Sequence, residues 1–427
     1  MISRYAGKAA GIALAVLLAA GISGCGTAGT ETQSGAVRET MRPFSVRQIA
    51  AADNETGRTV MWQLTKGGDN TLEYRKKGSG EIRSVKADGK MLKGNRGISD
   101  SVLYTARLTN LQKGTEYEYR TRSGNEVSPW YSLKTDDGKA FKALITSDSQ
   151  SSDYSDWEKL FRDAYSRNPD ISFFVDLGDI VDNGQDEYQW QAWFRTVKDV
   201  IEKVPAAPVL GNHEAYSLDW KTAMPERYLA HFQLPSNGNE NHQGHYYSYD
   251  WGDVHFAVLD TSETEEGEWL PDLFAKEKEW LANDLKSTDK KWKVVLMHKD
   301  PLQYSFADTG RPAREEGFSF EGREFMPILE ENGADLVLSA HLHTYRDRGH
   351  IENFARSDKG PVYVIVGLGG NVRYPGLWKR HSLDEYAAPQ PETNNYSILE
   401  ATEDALILTG YLPDGTELHR TVVRKDS

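Results

Sequence analysis

A single cysteine, Cys25, is present in the 427 residues, so no disulfide can form within the chain and its location cannot be argued from redox chemistry. Basic residues are outnumbered: 50 Lys and Arg face 64 Asp and Glu, a formal net charge of −14. Such a surface repels nucleic-acid phosphates and anionic lipid headgroups, and no nucleic-acid-binding surface is expected. Any anionic substrate must then be held by concentrated local positive charge, which a metal centre can supply. The apolar run at residues 9–22 is too short for a comfortable membrane span. Internal repeats are lacking, and so are low-complexity tracts outside the segment after Cys25. What remains is ordinary globular composition, with 38% hydrophobic and 27% charged residues. The length exceeds a usual single core and predicts two domains.

Arg4 and Lys8 precede the short apolar run, which is the pattern of an export signal. Ile22-Ser23-Gly24-Cys25 then resembles a bacterial lipobox, whose cysteine is lipidated and becomes the new N-terminus. Residues 1–25 are read as a lipoprotein signal peptide, and Cys25 as a lipidation site that ties the protein to the membrane outside the cytoplasm. Residues 26–41, rich in Gly, Thr, Ser and Ala, read as a flexible tether.

From 42 to 136 short alternating or apolar runs (59–64, 71–75, 101–108 and 115–122) are separated by turn residues, which predicts an all-β sandwich. The stretch 108–120, containing Leu111, Gly114, Tyr117 and Tyr119, resembles the corner of fibronectin type III modules, with Trp62 as the core tryptophan. A generic spacer is the expected role of this module; its partner is open.

Residues 137–427 change texture to apolar runs alternating with helical patterns, the signature of an α/β layered domain. Ser155 and Glu158 fit a capping box ahead of a helix with Trp157, Leu160, Phe161 and Ala164 on one face. A second amphipathic helix passes through 279–285 with Trp280, Leu281 and Leu285 inward. Five apolar runs end in side chains able to bind metals, where ligands gather in α/β sheets. They deliver Asp148, then Asp179 in Gly178-Asp179, then Gly211-Asn212-His213-Glu214, then His298, then His341 and His343. Each fragment alone is commonplace. A capping Asp, a turn Gly-Asp or a surface His carries no site by itself; the ordered set of five does.

In that order the five blocks resemble metallophosphoesterases of the calcineurin-like and purple-acid-phosphatase superfamily, and the likeness extends over essentially everything after residue 140. Similar β modules precede the catalytic domain in many purple acid phosphatases. The resemblance implies a four-layer αββα domain with a dinuclear metal centre. Asp179 would bridge both ions, Asp148 and His343 would complete one site, and Asn212, His298 and His341 the other. Two divalent ions roughly 3.5–4 Å apart acidify a shared water and clamp an in-line displacement at phosphorus. His213 would stabilise the transition state or protonate the leaving oxygen as the catalytic residue.

The chain also departs from the family. Purple acid phosphatases carry a tyrosine three residues after the bridging Asp, where this chain has Asp182; many calcineurin-like members have a His where this chain has Gln150. Gln150 and Asp182 are candidates for an extra ligand or for a hydrogen bond to a bound water. Both changes disfavour a stable ferric ion and point to Mn, Zn or ferrous iron. No extra histidine occurs between His298 and His341, where Lys299, Tyr304, Arg311 and Arg314 are the polar candidates. The expected activity is hydrolysis of a small-molecule phosphate ester, first a monoester, with nucleotide or glycerophosphodiester cleavage as the alternative. A surface-binding lipoprotein on a catalytically silent scaffold is the reading from another class.

Overall fold

A computed structural model of the protein describes residues 42–425 apart from 308 and 309. Cys25, the export signal and the tether lie outside the described residues. Among the described residues no helix is long and apolar enough to cross a membrane.

The N-terminal part is a sandwich of two antiparallel sheets. One runs in the order Phe44–Ile49, Arg58–Leu64, Ser101–Leu108, Asp88–Leu92. The other runs Arg83–Lys86, Asn70–Lys76, Glu116–Ser123, Glu126–Val127, with Tyr131–Lys134 also paired to Glu116–Ser123. Strict alternation sets the register of Glu116–Ser123: Tyr117, Tyr119 and Thr121 face in while charged residues face out. Trp62 is fully buried and stacks on Tyr104 at 5.7 Å. The N–H of Gln112 donates to the Tyr117 hydroxyl at 2.9 Å, so the predicted corner is closed by a tyrosine.

The C-terminal half has two sheets. A five-stranded sheet runs Phe173–Asp176, Phe141–Thr146, Tyr396–Ala401, Leu406–Tyr411, Glu417–Val423. An eight-stranded sheet contains the parallel run Val254–Val258, Trp292–Leu296, Leu336–Ser339, Val362–Ile365, with Tyr247–Trp251 antiparallel at one edge. Residues of the parallel strands alternate between two cores, as strands buried on both faces must. Phe256, Val258, Val294 and Leu296 meet the five-stranded sheet through Phe141 and Phe173. Ala257, Leu259, Val295 and Met297 meet helices Leu273–Ser287 and Phe320–Glu331. Helices Ser155–Arg167 and Glu187–Ile201 cover the other outer face with Trp157, Phe161 and Trp193. The result is the expected four-layer αββα order.

Three local expectations are corrected. Ser155 and Glu158 form no capping box: the chain enters the helix through Tyr154 at φ 60°, and Asp153 accepts from the Ser155 N–H at 3.0 Å. The Glu158 carboxylate is drawn instead to Arg162, one turn on. Trp280 is only half-buried, lying against Tyr246 at 4.9 Å, whereas Leu281 and Leu285 are fully inside. The run before Gly211 is no true strand. Pro205 and Pro208 deny it a continuous ladder, and it pairs through isolated bridges of Ala206 to Ile49 and Phe174. Those bridges join the sandwich sheet to the five-stranded sheet edge to edge, helped by the Tyr119 hydroxyl donating to the Glu202 carbonyl at 2.7 Å.

Candidate metal centre

The parallel strands stop where their carboxyl ends converge, and the loops that follow carry the candidate residues. The backbone there is unusual. Asp148, Asp179, His341 and His343 all adopt positive φ, at 45°, 52°, 70° and 51°. Non-glycine residues rarely tolerate this region, and such strain concentrates at functional sites. Gly178 at φ 94° and Gly211 make the approach possible. A Cβ on Gly211 would stand 2.2 Å from the Asp179 nitrogen, and one on Gly178 would stand 2.8 Å from His298 Nδ1.

Glu214 holds these loops. Its fully buried carboxylate accepts four backbone N–H bonds: Oε2 from Asp179 (2.9 Å) and Gly211 (2.8 Å), Oε1 from Ile180 (2.9 Å) and Val181 (3.2 Å). Burial and the neighbouring Asp179 push this carboxyl well above its usual range, against the pull of the N–H donors and His298. Sequence reasoning placed Glu214 in the third block and gave it no task; its position beside His213 was the only signal.

Side chains converge in two groups that share Asp179. Asp179, His298 and His341 form one group, Asp148, Asp179 and His343 the other. His298 Nε2 lies 3.1 Å from Asp179 Oδ2 and 3.2 Å from Asn212 Oδ1; His343 Nε2 lies 3.4 Å from Asp148 Oδ1. Two of the imidazoles are oriented from behind. His298 Nδ1 donates to the Leu177 carbonyl at 2.8 Å and His343 Nδ1 to the Val372 carbonyl at 2.6 Å, which turns each Nε2 toward the carboxylates.

Electrostatics separates the carboxylates. Burial alone would raise Asp179, but His298 and His213 outweigh it and hold the carboxyl well below its usual range. Burial raises Asp148 despite His343 and His298. His341 is pushed well below the usual histidine value by burial and by the neighbouring His298, and so stays neutral. His298 goes the other way, up to about 9: burial lowers it but Asp179 prevails.

A divalent pair fits these residues. Asp148 Oδ2 and His341 Nδ1 are buried without any hydrogen-bond partner, as are both amide atoms of Gln150. Unsatisfied buried polar atoms are costly, and the lone-pair orphans among them, Asp148 Oδ2, His341 Nδ1 and Gln150 Oε1, are what a cation would satisfy. Asp182 stands apart. It is half-buried beside His213, whose Nδ1 bonds the Asp182 carbonyl at 2.7 Å and lies 3.6 Å from its carboxylate. The His213 N–H donates to Asp179 Oδ1 at 2.9 Å, and its Nε2 faces Asp179 Oδ2 at 4.0 Å.

Residues 141–345 match the family described as Calcineurin-like phosphoesterase, and residues 43–135 match the Purple acid Phosphatase, N-terminal domain. The chain carries a calcineurin-like phosphoesterase domain behind a purple-acid-phosphatase N-terminal domain. Purple acid phosphatase 15 of Arabidopsis thaliana is 28% identical over 214 residues, 48% of this chain and 36% of that protein. Probable purple acid phosphatase 20 of the same plant is 25% identical over 328 residues, 74% of this chain and 71% of that protein. The solved purple acid phosphatase PPD1 of yellow lupin (Lupinus luteus) seeds matches 90% of this chain and 74% of its own with a TM-score of 0.71 at 17% identity. PhoD matches 90% and 92% with a TM-score of 0.63 at 14% identity. At such identities these two show the fold. The chain spans 36% and 38% of the length of purple acid phosphatases 15 and 23.

Around the Asp179 groups, two of the polar candidates between His298 and His341 are otherwise engaged. Lys299 Nζ is tied to Glu265 at 2.7 Å and Thr264 at 3.0 Å, and the buried Tyr304 hydroxyl donates to Asp384 at 2.5 Å. Arg311 and Arg314 lie over Phe306. Two exposed aromatics missed by the sequence reading flank the histidines: Trp220, 6.1 Å from His213, and Tyr374, 4.7 Å from His343. Neither is announced by any motif.

Proposed function

We propose that the protein is an extracytoplasmic, lipid-anchored phosphoesterase that hydrolyses phosphate monoesters at a dinuclear centre of Mn, Zn or ferrous ions. The observation that carries this reading is the pair of His/carboxylate groups sharing Asp179 at converging strand ends. Asp179 would contact both ions, with Asp148 and His343 on one and Asn212, His298 and His341 on the other. Such a pair, when bound, supplies positive charge at phosphorus and acidifies water. The chain's own residues do the rest. The Leu177 and Val372 carbonyls fix the orientation of two imidazoles. His213, one face toward Asp179 and 19% exposed at its side chain, is placed to give a proton to the leaving oxygen. The Asp182 carbonyl bonds His213 Nδ1, so Nε2 is the nitrogen that meets substrate.

The location rests on the N-terminal signal and Cys25. Scavenging of organic phosphate suits an anchored enzyme. Gln150, buried with a free amide, is the better candidate for an added ligand, and Asp182 for orienting His213.

The test is metal analysis of the full chain in detergent, with turnover of a phosphomonoester and a phosphodiester beside Asp179→Asn and His213→Ala. We expect metal-dependent monoester turnover, abolished with loss of metal in Asp179→Asn and reduced about 10²–10⁴-fold with metal retained in His213→Ala. Faster diester turnover would replace the monoester reading. No turnover with any added divalent ion would sink the enzyme reading and favour a binding protein.

A further inference from the structure

Beyond the Asp179 groups, a second kind of histidine–carboxylate cluster lies inside the catalytic half. His245 precedes strand Tyr247–Trp251, Asp260 follows Val254–Val258, Glu266 ends the short helix Glu263–Glu266, and Glu277 lies in helix Leu273–Ser287. Their exposures are 3%, 1%, 0% and 0%. His245 Nδ1 is 2.9 Å from Asp260 Oδ2 and 3.0 Å from Glu266 Oε2. Glu277 Oε1 accepts the Asp260 N–H at 2.6 Å, and Asp260 Oδ1 accepts the Ser262 N–H at 2.8 Å.

An internal control shows what is odd here. His255 also sits between two carboxylates, but each nitrogen has its own: Nδ1 to Asp250 at 2.7 Å and Nε2 to Asp284 at 2.8 Å. That is a satisfied imidazolium. At His245 both carboxylates converge on one nitrogen, which has one proton at most. Asp260 takes that hydrogen bond; both oxygens of Glu266 and Oε2 of Glu277 are left buried with no hydrogen-bond partner. Three carboxylates thus face one imidazole, and the adjacent cation Lys299 is committed to Glu265.

We infer that His245 Nδ1, Asp260 Oδ2 and Glu266 Oε2, backed by the charge of Glu277, form a third divalent-cation site separate from the Asp179 groups. Neighbouring donors around a six-coordinate ion with bonds of ~2.1 Å stand about 3.0 Å apart, which is the spacing of Nδ1 from both oxygens. One imidazole with carboxylates favours an ion of the Mn²⁺ or Zn²⁺ class over Ca²⁺. The ion is structural. It ties together the approaches to two strands and two helices, one of which, Glu263–Glu266, packs on the turn Asn212–Ala215 that bears His213.

The experiment is elemental analysis of the full chain after loading with Mn²⁺ and Zn²⁺ and removal of free ions, with folding checked by circular dichroism. Expected sums are three ions per wild-type chain, two for Glu266→Gln, one for Asp148→Asn/Asp179→Asn, and none for the triple variant. Equal content in wild type and Glu266→Gln overturns the third site. Should Glu266→Gln not fold, the double variant decides: one ion supports the inference and none overturns it. A double variant that keeps the wild-type content, with Glu266→Gln still one lower, would instead fault the dinuclear reading.

Discussion

The sandwich corner and the catalytic loops solve the same problem with different chemistry. In the corner, one neutral hydroxyl, that of Tyr117, accepts one loop N–H, from Gln112. In the catalytic half one carboxylate, that of Glu214, accepts four. The corner loop is a connection between regular strands and needs a single pin. The loops at Asp179 and Gly211 are held in left-handed or crowded backbone that they would not adopt alone. A buried carboxyl group that accepts four N–H bonds supplies what local preference withholds.

The sharpest break of that comparison is Glu214→Gln. Whichever way the amide turns, its nitrogen replaces an oxygen that accepted two N–H bonds. Each unsatisfied buried donor costs about 1–3 kcal/mol, so the expected loss is about 3–4 kcal/mol, together with loss of metal and turnover. Denaturant unfolding and metal content measure it. A loss below about 1 kcal/mol with full turnover would mean that the loops hold their own shape.

Between the two extremes stands His255, a buried charge with one carboxylate per nitrogen. Burial lowers its pKa, but Asp250 and Asp284 overcome this and carry it up to about 9. A folded value above the unfolded one, about 6.5, makes the stabilisation complete below pH 6.5 and progressively lost as pH rises through 9. His255→Gln is therefore expected to cost about 2–3 kcal/mol at pH 6 and little at pH 9.5. A cost that is the same at both pH values would show that packing, and not charge, is what His255 contributes.

How much could be read beforehand follows the same division. Strand periodicity and the motif blocks make the layers and the residues from Asp148 to His343 legible, because those signals are local. Asp182 and Gln150 were equal candidates in sequence; the fold distinguishes them by turning Asp182 toward His213. Glu214, Tyr374, Trp220 and the His245 cluster were invisible in their roles. Their partners are distant in the chain, and no periodicity records which buried carboxylate faces which imidazole. The false capping box at Ser155 has a plainer cause: Asp153, two residues earlier, already takes the N–H that a cap exists to satisfy.

The smallest effect is expected at Tyr117→Phe. The ring stays buried near Tyr74 at 6.4 Å, so only the hydroxyl and its bond from Gln112 are lost. Water can reach an exposed turn, and Gln112 is exposed, so the freed N–H finds a new partner. The expected cost is about 1 kcal/mol, seen in denaturant unfolding, with metal content and turnover unchanged. A drop in turnover would show that the corner is felt across the Tyr119–Glu202 and Ile49–Ala206 junction, making the sandwich part of the site's support. Unchanged turnover would leave Glu214 alone with that task, since the segment after Ala206 leads directly to Gly211 and the loop that Glu214 holds.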